Sequence, residues 1–355
     1  MSARTDFIPG LRLGRMLYEE AGRAIVESVV ARGSYAAAFI GKGSDVLGFD
    51  TERSTDHDWG PRFQVFLPDD RFDRQSRLLD EELKKRLPAE FMGFATGVPE
   101  SAESARRPHL VEIVTVNGFL QRYIAVSGVA DLTILDWLTF PEQRLLELTS
   151  GEIFHDPQGD LVRFRETLGA YPRDVWLYRM ACQWQRLSQE EAFAGRCAEA
   201  GDMVGMKVVA ARIVRDVMKL CFLMERKYAP YDKWLGTAFG KLACASRVKP
   251  LLSAALDAVD YTALEPNLVG LYRTLGDMHN VLDATGHMDP SPREFYSRPY
   301  VVMRAERFAN ALLRAVQSEE LQRIPVRMGA IDQFIDNTDF IEHSETYRKV
   351  LALYR

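Results

Sequence analysis

Two carboxylates one residue apart, Asp56 and Asp58, stand shortly before the apolar run Arg62–Leu67, and Gly43-Ser44 precedes them by eleven intervening residues. Side chains two apart on a strand share a face, so Asp56 and Asp58 are expected to project together, with roughly 6–7 Å between their Cα atoms. His57 points the other way. Carboxylates held this close raise one another's proton affinity unless a cation lies between them. Mg²⁺ fits that place, because it is a hard ion that prefers oxygen ligands and keeps positions open for substrate phosphates. Gly43 and Ser44 supply a turn in which backbone N–H groups approach a phosphate without a Cβ in the way. The chemistry expected of this set is metal-dependent phosphoryl transfer.

Two strands must position these groups. Residues 35–40, YAAAFI, form a short buried strand running into the Gly-Ser turn, and 62–67, RFQVFL, form a second strand closed by Pro68, with Asp56 and Asp58 at its start. An amphipathic helix over 11–32 precedes the first strand and ends at Gly33. A charged helix over 69–87 follows the second, with Leu78, Leu79, Leu83 and Leu87 inward, and SAESARR near residue 104 reads as an exposed loop. HLVEIVTV, 109–116, is a β-branched strand with one acid in it, Glu112. As a third inner strand it aims Glu112 at Asp56 and Asp58, as a third metal ligand or as the base for an incoming hydroxyl. As an edge strand it turns Glu112 to water.

Residues 131–155 read as a linker with one helix, begun by Phe140-Pro141-Glu142 and ended by Gly151-Glu152-Ile153. From Asp160 onward only helical patterns recur. The fold class expected is therefore α+β: a mixed sheet with flanking helices over 1–150, then an all-α helical bundle over 151–355. A chain of 355 residues suits two domains, since single cores rarely grow past about 250–300 residues. The helix over 202–226 is apolar nearly all round, except for Arg212, Arg215, Asp216 and Lys219 at i, i+3, i+4 and i+7. That stripe is either a solvated face with an Arg212–Asp216 pair or a source of cations for a ligand. YAPYDKWLG, 228–236, sets Tyr228, Tyr231, Lys233 and Trp234 around a Pro-containing turn, and packing does not account for Lys233. Asp202 is an N-cap or an acid for an amino-bearing acceptor. His279, His287 and His343 read as structural or exposed, and 331–355 as a closing helix of mixed charge.

Composition narrows the function. The formal charge is −5 and the isoelectric point about 5.8, against the basic footprint of a general nucleic-acid binder. No stretch approaches the roughly 18 uninterrupted apolar residues of a membrane helix, and MSARTDFIPG lacks an apolar signal core, so a cytoplasmic place is expected. The four cysteines, Cys182, Cys197, Cys221 and Cys244, have no C-x₂-C spacing and read as buried free thiols. A P-loop fails on spacing, since no Gly stands five before Gly41-Lys42. A dinucleotide fingerprint fails because Gly48 comes too late after Gly41 and Gly43.

Gly43-Ser44 followed by Asp56-x-Asp58 resembles the signature of the nucleotidyltransferase superfamily, shared by DNA polymerase beta-like enzymes and kanamycin-type antibiotic nucleotidyltransferases. The longer string GSDVLGFDTERSTDHDWGPR resembles the bacterial DUF4037 proteins. The likeness is sharp over 36–67 and loose elsewhere, and His57 departs from the apolar residue usual between the acids. The resemblance implies nucleotidyl transfer from a nucleoside triphosphate to a hydroxyl of a small-molecule acceptor, with two Mg²⁺ ions on Asp56 and Asp58 and pyrophosphate released. It implies Glu112 as the third carboxylate, and Arg212 or Arg215 with Tyr231 and Lys233 as phosphate ligands. Its rivals are a nucleotide-binding or antitoxin-like module without turnover, and transfer to a protein or RNA acceptor.

Overall fold

The structure, a computed structural model, describes residues 7–56, 59–97, 109–130 and 132–355. His57, Asp58 and the SAESARR stretch lie outside the described residues. These form a mixed α+β fold grouped into two compact units, one of Met1–Leu132 with Arg144–Gly169 and one of Thr133–Gln143 with Ala170–Arg355.

The first unit is built on four short strands, in the order Glu112–Val114, Gln64–Phe66, Ala36–Phe39, Glu152–His155. Ala36–Phe39 is antiparallel to both its neighbours, whereas Gln64–Phe66 and Glu112–Val114 run parallel. A parallel pair needs a long crossover, and the helix Phe72–Arg86 lies within it. The register Ala37↔Val65↔Ile113 sets one sheet face, and Ala38↔Gln64↔Glu112 sets the other. The first face is apolar and packs with Leu17, Tyr18, Val26, Phe63, Leu79 and Leu83 into one core. The opposite face meets the helix Val116–Ile124, where Phe66 and Phe119 stand edge to face at 5.3 Å.

The three expected strands are present, with shorter bounds. Asp56, however, closes a 3-10 turn over Glu52–Asp56 and is not on the strand, which begins only at Gln64. Gly60-Pro61 explains the late start, because Gly60 takes φ +147° and Pro61 has no N–H to give a neighbouring strand. Leu78 is not inward but 46% exposed, since the buried stripe of its helix is Leu79 and Leu83. Residues 152–155 are not the end of a helix in a linker but the edge strand of the sheet. Accordingly 144–169 groups with the earlier residues and 133–143 with the later ones, rather than the chain dividing once near residue 150.

The second unit is mainly helical. Arg173–Glu190 packs against Met203–Met224 and Glu306–Ala315, and Trp184 stacks on Phe308 at 4.6 Å within that core. It also carries a hairpin, Arg293–Phe295 with Arg298–Val302, where only helices were expected. The last residues form short helical segments, including Thr338–Glu342 and Tyr347–Val350, rather than one closing helix.

Candidate functional site

The strand Ala36–Phe39 delivers the turn Gly41-Lys42-Gly43-Ser44, and other residues hold that turn from several sides. Gly41 donates its N–H to Glu147 O at 2.9 Å, and Lys42 N–H donates to the Tyr123 hydroxyl at 2.9 Å. Burial pushes the Tyr123 hydroxyl up to about 12, so it stays protonated. A Cβ on Gly41 would lie 2.4 Å from that hydroxyl oxygen. Gln64 clasps the residue before the turn twice: it accepts from Ile40 N–H at 3.1 Å and donates to Ile40 O at 2.9 Å.

On the far side lies an ion pair that the spacing of the sequence does not show. Asp45 is buried, and Arg62 Nη2 donates to its two carboxylate oxygens at 2.9 and 3.1 Å. Burial raises the Asp45 carboxyl above its ordinary value, and the Arg62 guanidinium opposes that rise. The same nitrogen reaches Lys42 O at 3.2 Å. Arg62 therefore ties the turn to the segment that enters the second strand. Trp59, next to Asp58 in sequence, donates from Nε1 to Asp50 at 3.1 Å, and Asp50 also accepts Gly10 N–H at 2.8 Å. Asp45, Asp50, Trp59 and Arg62 are residues that the sequence reading missed, and the one available signal was a charge of each sign set between glycines.

The turn is left with unspent donors. Among the described residues, the N–H groups of Gly43 and Ser44 and the Ser44 hydroxyl donate to nothing. Successive free amides at a glycine turn make a concave anion site.

Glu112 shares its sheet face with Gln64 but forms an ion pair with Arg122, whose guanidinium rests 5.7 Å from the Phe119 ring centroid. It is neither turned wholly to water nor deeply buried, with 22% of its side chain exposed. Asp56 stands at the end of its 3-10 turn, and Asp58 lies outside the described residues, so the acid pair remains an expectation of the sequence. Among the described residues, no group of three or more His, Cys, Asp or Glu is arranged to hold a metal ion. Asp45 and Glu112 are each committed to an arginine.

In the second unit, Arg215 and Tyr231 line one cavity of about 300 Å³ together with Lys219, Asp232, Asp332 and Asp336. Arg215 meets Asp232 at 3.2 Å and Asp336 at 2.9 Å, and Lys219 donates to Asp332 O at 3.1 Å. Two of the lining residues, Glu142 and Asp332, meet the buried Arg179. Arg179 lies 2.9 Å from Glu142 and 3.5 Å from Asp332, over the Tyr171 ring at 4.4 Å. Burial pushes the Glu142 carboxyl upward, Arg179 pulls it down, and Asp332 adds to the rise. Glu142, Arg179 and Asp332 are far apart in sequence, so no local pattern announces them.

The other candidates lie apart from this cavity. Arg212 is paired to Glu190, one contact measuring 3.0 Å, and not to Asp216. Asp216 is buried against Arg186 and Gln183 instead. Lys233 sits 5.1 Å from the Trp234 ring centroid and does not line the cavity. Asp202 caps its helix by accepting Gly205 N–H at 2.7 Å.

A family profile described as a domain of unknown function, DUF4037, matches residues 137–235. That stretch contains Glu142, Arg179, Arg215 and Tyr231, and it does not include 36–67, where the resemblance was read as sharp. No curated protein matches. Among solved structures, a nucleotidyltransferase-like protein from Exiguobacterium sibiricum is similar at 10% identity and a TM-score of 0.36, over 97% of this chain and 89% of its own. Among the described residues no helix is long and apolar enough to cross a membrane.

Proposed function

We propose that the chain is a nucleotidyltransferase that moves a nucleoside monophosphate from a nucleoside triphosphate to a hydroxyl of a small-molecule acceptor. The observation that carries this reading is the turn at the end of Ala36–Phe39, with the free amides of Gly43 and Ser44 beside the Ser44 hydroxyl. These three donors suit the β- and γ-phosphate oxygens. Asp56 and Asp58 would hold two Mg²⁺ ions, which when bound supply charge neutralisation for an in-line displacement at phosphorus. Glu112 takes the proton of the acceptor hydroxyl once it parts from Arg122. The hydroxyl oxygen then bonds to the α-phosphorus, the bond to the bridging oxygen breaks, and pyrophosphate leaves with the electron pair. Arg215 and Tyr231 remain the phosphate candidates of the second unit, and Arg215 must leave Asp232 and Asp336 to serve.

The rival without turnover draws support from the Glu112–Arg122 ion pair, because that contact occupies the carboxylate that would otherwise meet an acceptor hydroxyl. Pyrophosphate release from nucleoside triphosphates over an acceptor panel separates the two. Loss of about 100-fold or more is expected for Asp58→Asn, and a similar loss with nucleotide affinity intact for Glu112→Gln. Full release by Asp58→Asn overturns the metal assignment, and tight Mg·NTP binding with no release by the unaltered chain favours the silent module.

A further inference from the structure

The first unit holds a second cavity, of about 380 Å³, at the opposite end of the strand Ala36–Phe39 from the Gly-Ser turn. It opens where the parallel strands Gln64–Phe66 and Glu112–Val114 both end. The crevice beyond the carboxyl ends of parallel strands is a recurrent ligand position, and this volume falls within the usual small-molecule range. Its floor is apolar, from Tyr35, Phe66, Leu67, Leu120 and Phe164.

The rim decides what class of ligand fits. Three carboxylates, Asp69, Asp156 and Asp160, and one guanidinium, Arg163, line it. Arg163 is spent on Asp160 and on Gln158 O at 2.7 Å. Asp156 receives the N–H groups of Asp160 and Val162, each at 3.0 Å, at the start of a helix. Asp69 accepts from Asn117 Nδ2 at 2.7 Å through one oxygen, and among the described residues its other oxygen accepts no hydrogen bond. Among the described residues, Asp69 and Asp156 form no ion pair with Arg163, the one cationic side chain of the lining, so the lining carries an excess of negative charge. That excess disfavours an anion in the cavity and favours an ammonium group, whose apolar body can lie on the floor.

We infer that this cavity is a binding site for a small primary amine carrying a compact apolar ring, separate from the site proposed for nucleotidyl transfer. Tryptamine is a suitable probe and indole-3-acetate its counterpart, since both carry the same ring and have opposite charge. Titration calorimetry on the full chain, without nucleotide, is expected to show tryptamine binding about tenfold or more tighter than indole-3-acetate, the factor that corresponds to 1.4 kcal/mol. Asp69→Asn is expected to remove most of that preference. Ala130→Trp, at an exposed position on the lining, is expected to block both probes while leaving the melting temperature unchanged, and Asn117→Trp serves as a second blocking variant. Equal affinity for the two probes, no binding of tryptamine, no effect of Asp69→Asn, or tryptamine affinity unchanged in both blocking variants overturns the inference. Because the readout is amine binding and not pyrophosphate release, either proposal can fail without the other.

Discussion

At Gly43 the backbone takes φ +142°, and a Cβ there would stand 2.2 Å from Asp45 Oδ1 and 2.4 Å from Arg62 Nη2. The glycine is required twice, by its own angle and by the ion pair packed against it. Gly43→Ala must either strain the backbone or push apart a pair that holds the turn to residues 59–62. We expect it to cost about 3 kcal/mol, from a strained backbone angle plus a disturbed buried pair. Chemical denaturation measures this directly, and a change under about 0.5 kcal/mol, the scale of an ordinary surface substitution, contradicts the packing described. The free amides of Gly43 and Ser44 depend on the same clamp, so the variant should also weaken nucleotide binding if the turn holds phosphate.

At the scale of the element, Glu191 at the end of the helix Arg173–Glu190 is the most perturbed acid with a clear structural task. It is buried and accepts Met303 N–H at 2.9 Å, just ahead of the helix Glu306–Ala315. Burial pushes its carboxyl up to about 8, the nearby Glu306 adds to the rise, and the backbone donors at Ala305, Met303 and Arg304 restrain it. The folded chain therefore holds a proton here that the unfolded chain releases near its ordinary value of 4.5. Stability from this group is highest below about 4.5 and falls as pH rises through the window up to about 8, by an amount on the order of a few kcal/mol. Glu191→Gln should flatten that dependence in unfolding measured between pH 5 and 8. An unchanged slope removes Glu191 as its source.

The same scale shows what a reader of the residues can and cannot see. YAAAFI and RFQVFL were legible as strands because an apolar β-branched or small-residue run ended in Gly or Pro, and Ala36–Phe39 and Gln64–Phe66 lie within them. HLVEIVTV was legible too, though only Glu112–Val114 is strand, since Thr115 caps a helix that begins at Val116. Glu152–His155 was hidden, because four residues between helical patterns carry no alternation to count and the strand exists only through its pairing with Ala36–Phe39. The site divides in the same way. Gly43 and Ser44 announce themselves by type, whereas Asp45–Arg62 and Glu142–Arg179–Asp332 are assembled by the tertiary fold from residues 17 to 190 positions apart.

For the whole molecule, the interleaving of the units makes a prediction about where the chain can be cut. A fragment ending at 150 keeps three strands of the sheet and loses Glu152–His155, which covers the edge of Ala36–Phe39, together with the helix Asp160–Leu168. It also strips Phe154 from the apolar core, where its ring stacks at 5.5 Å on Tyr18. An uncovered edge strand of alanines and an incomplete core favour association over folding. A fragment ending at 169 retains all four strands and Arg165, which donates to Thr149 O. Thermal unfolding and size-exclusion behaviour of the two should differ: more cooperative and less associated for 1–169, broad and aggregating for 1–150. The difference follows from one strand of four residues, because pairing supplies the backbone hydrogen bonds that the edge of Ala36–Phe39 otherwise leaves to another chain. Equal behaviour of the two fragments would mean that Glu152–His155 contributes little to the sheet, and that the first unit is complete without it.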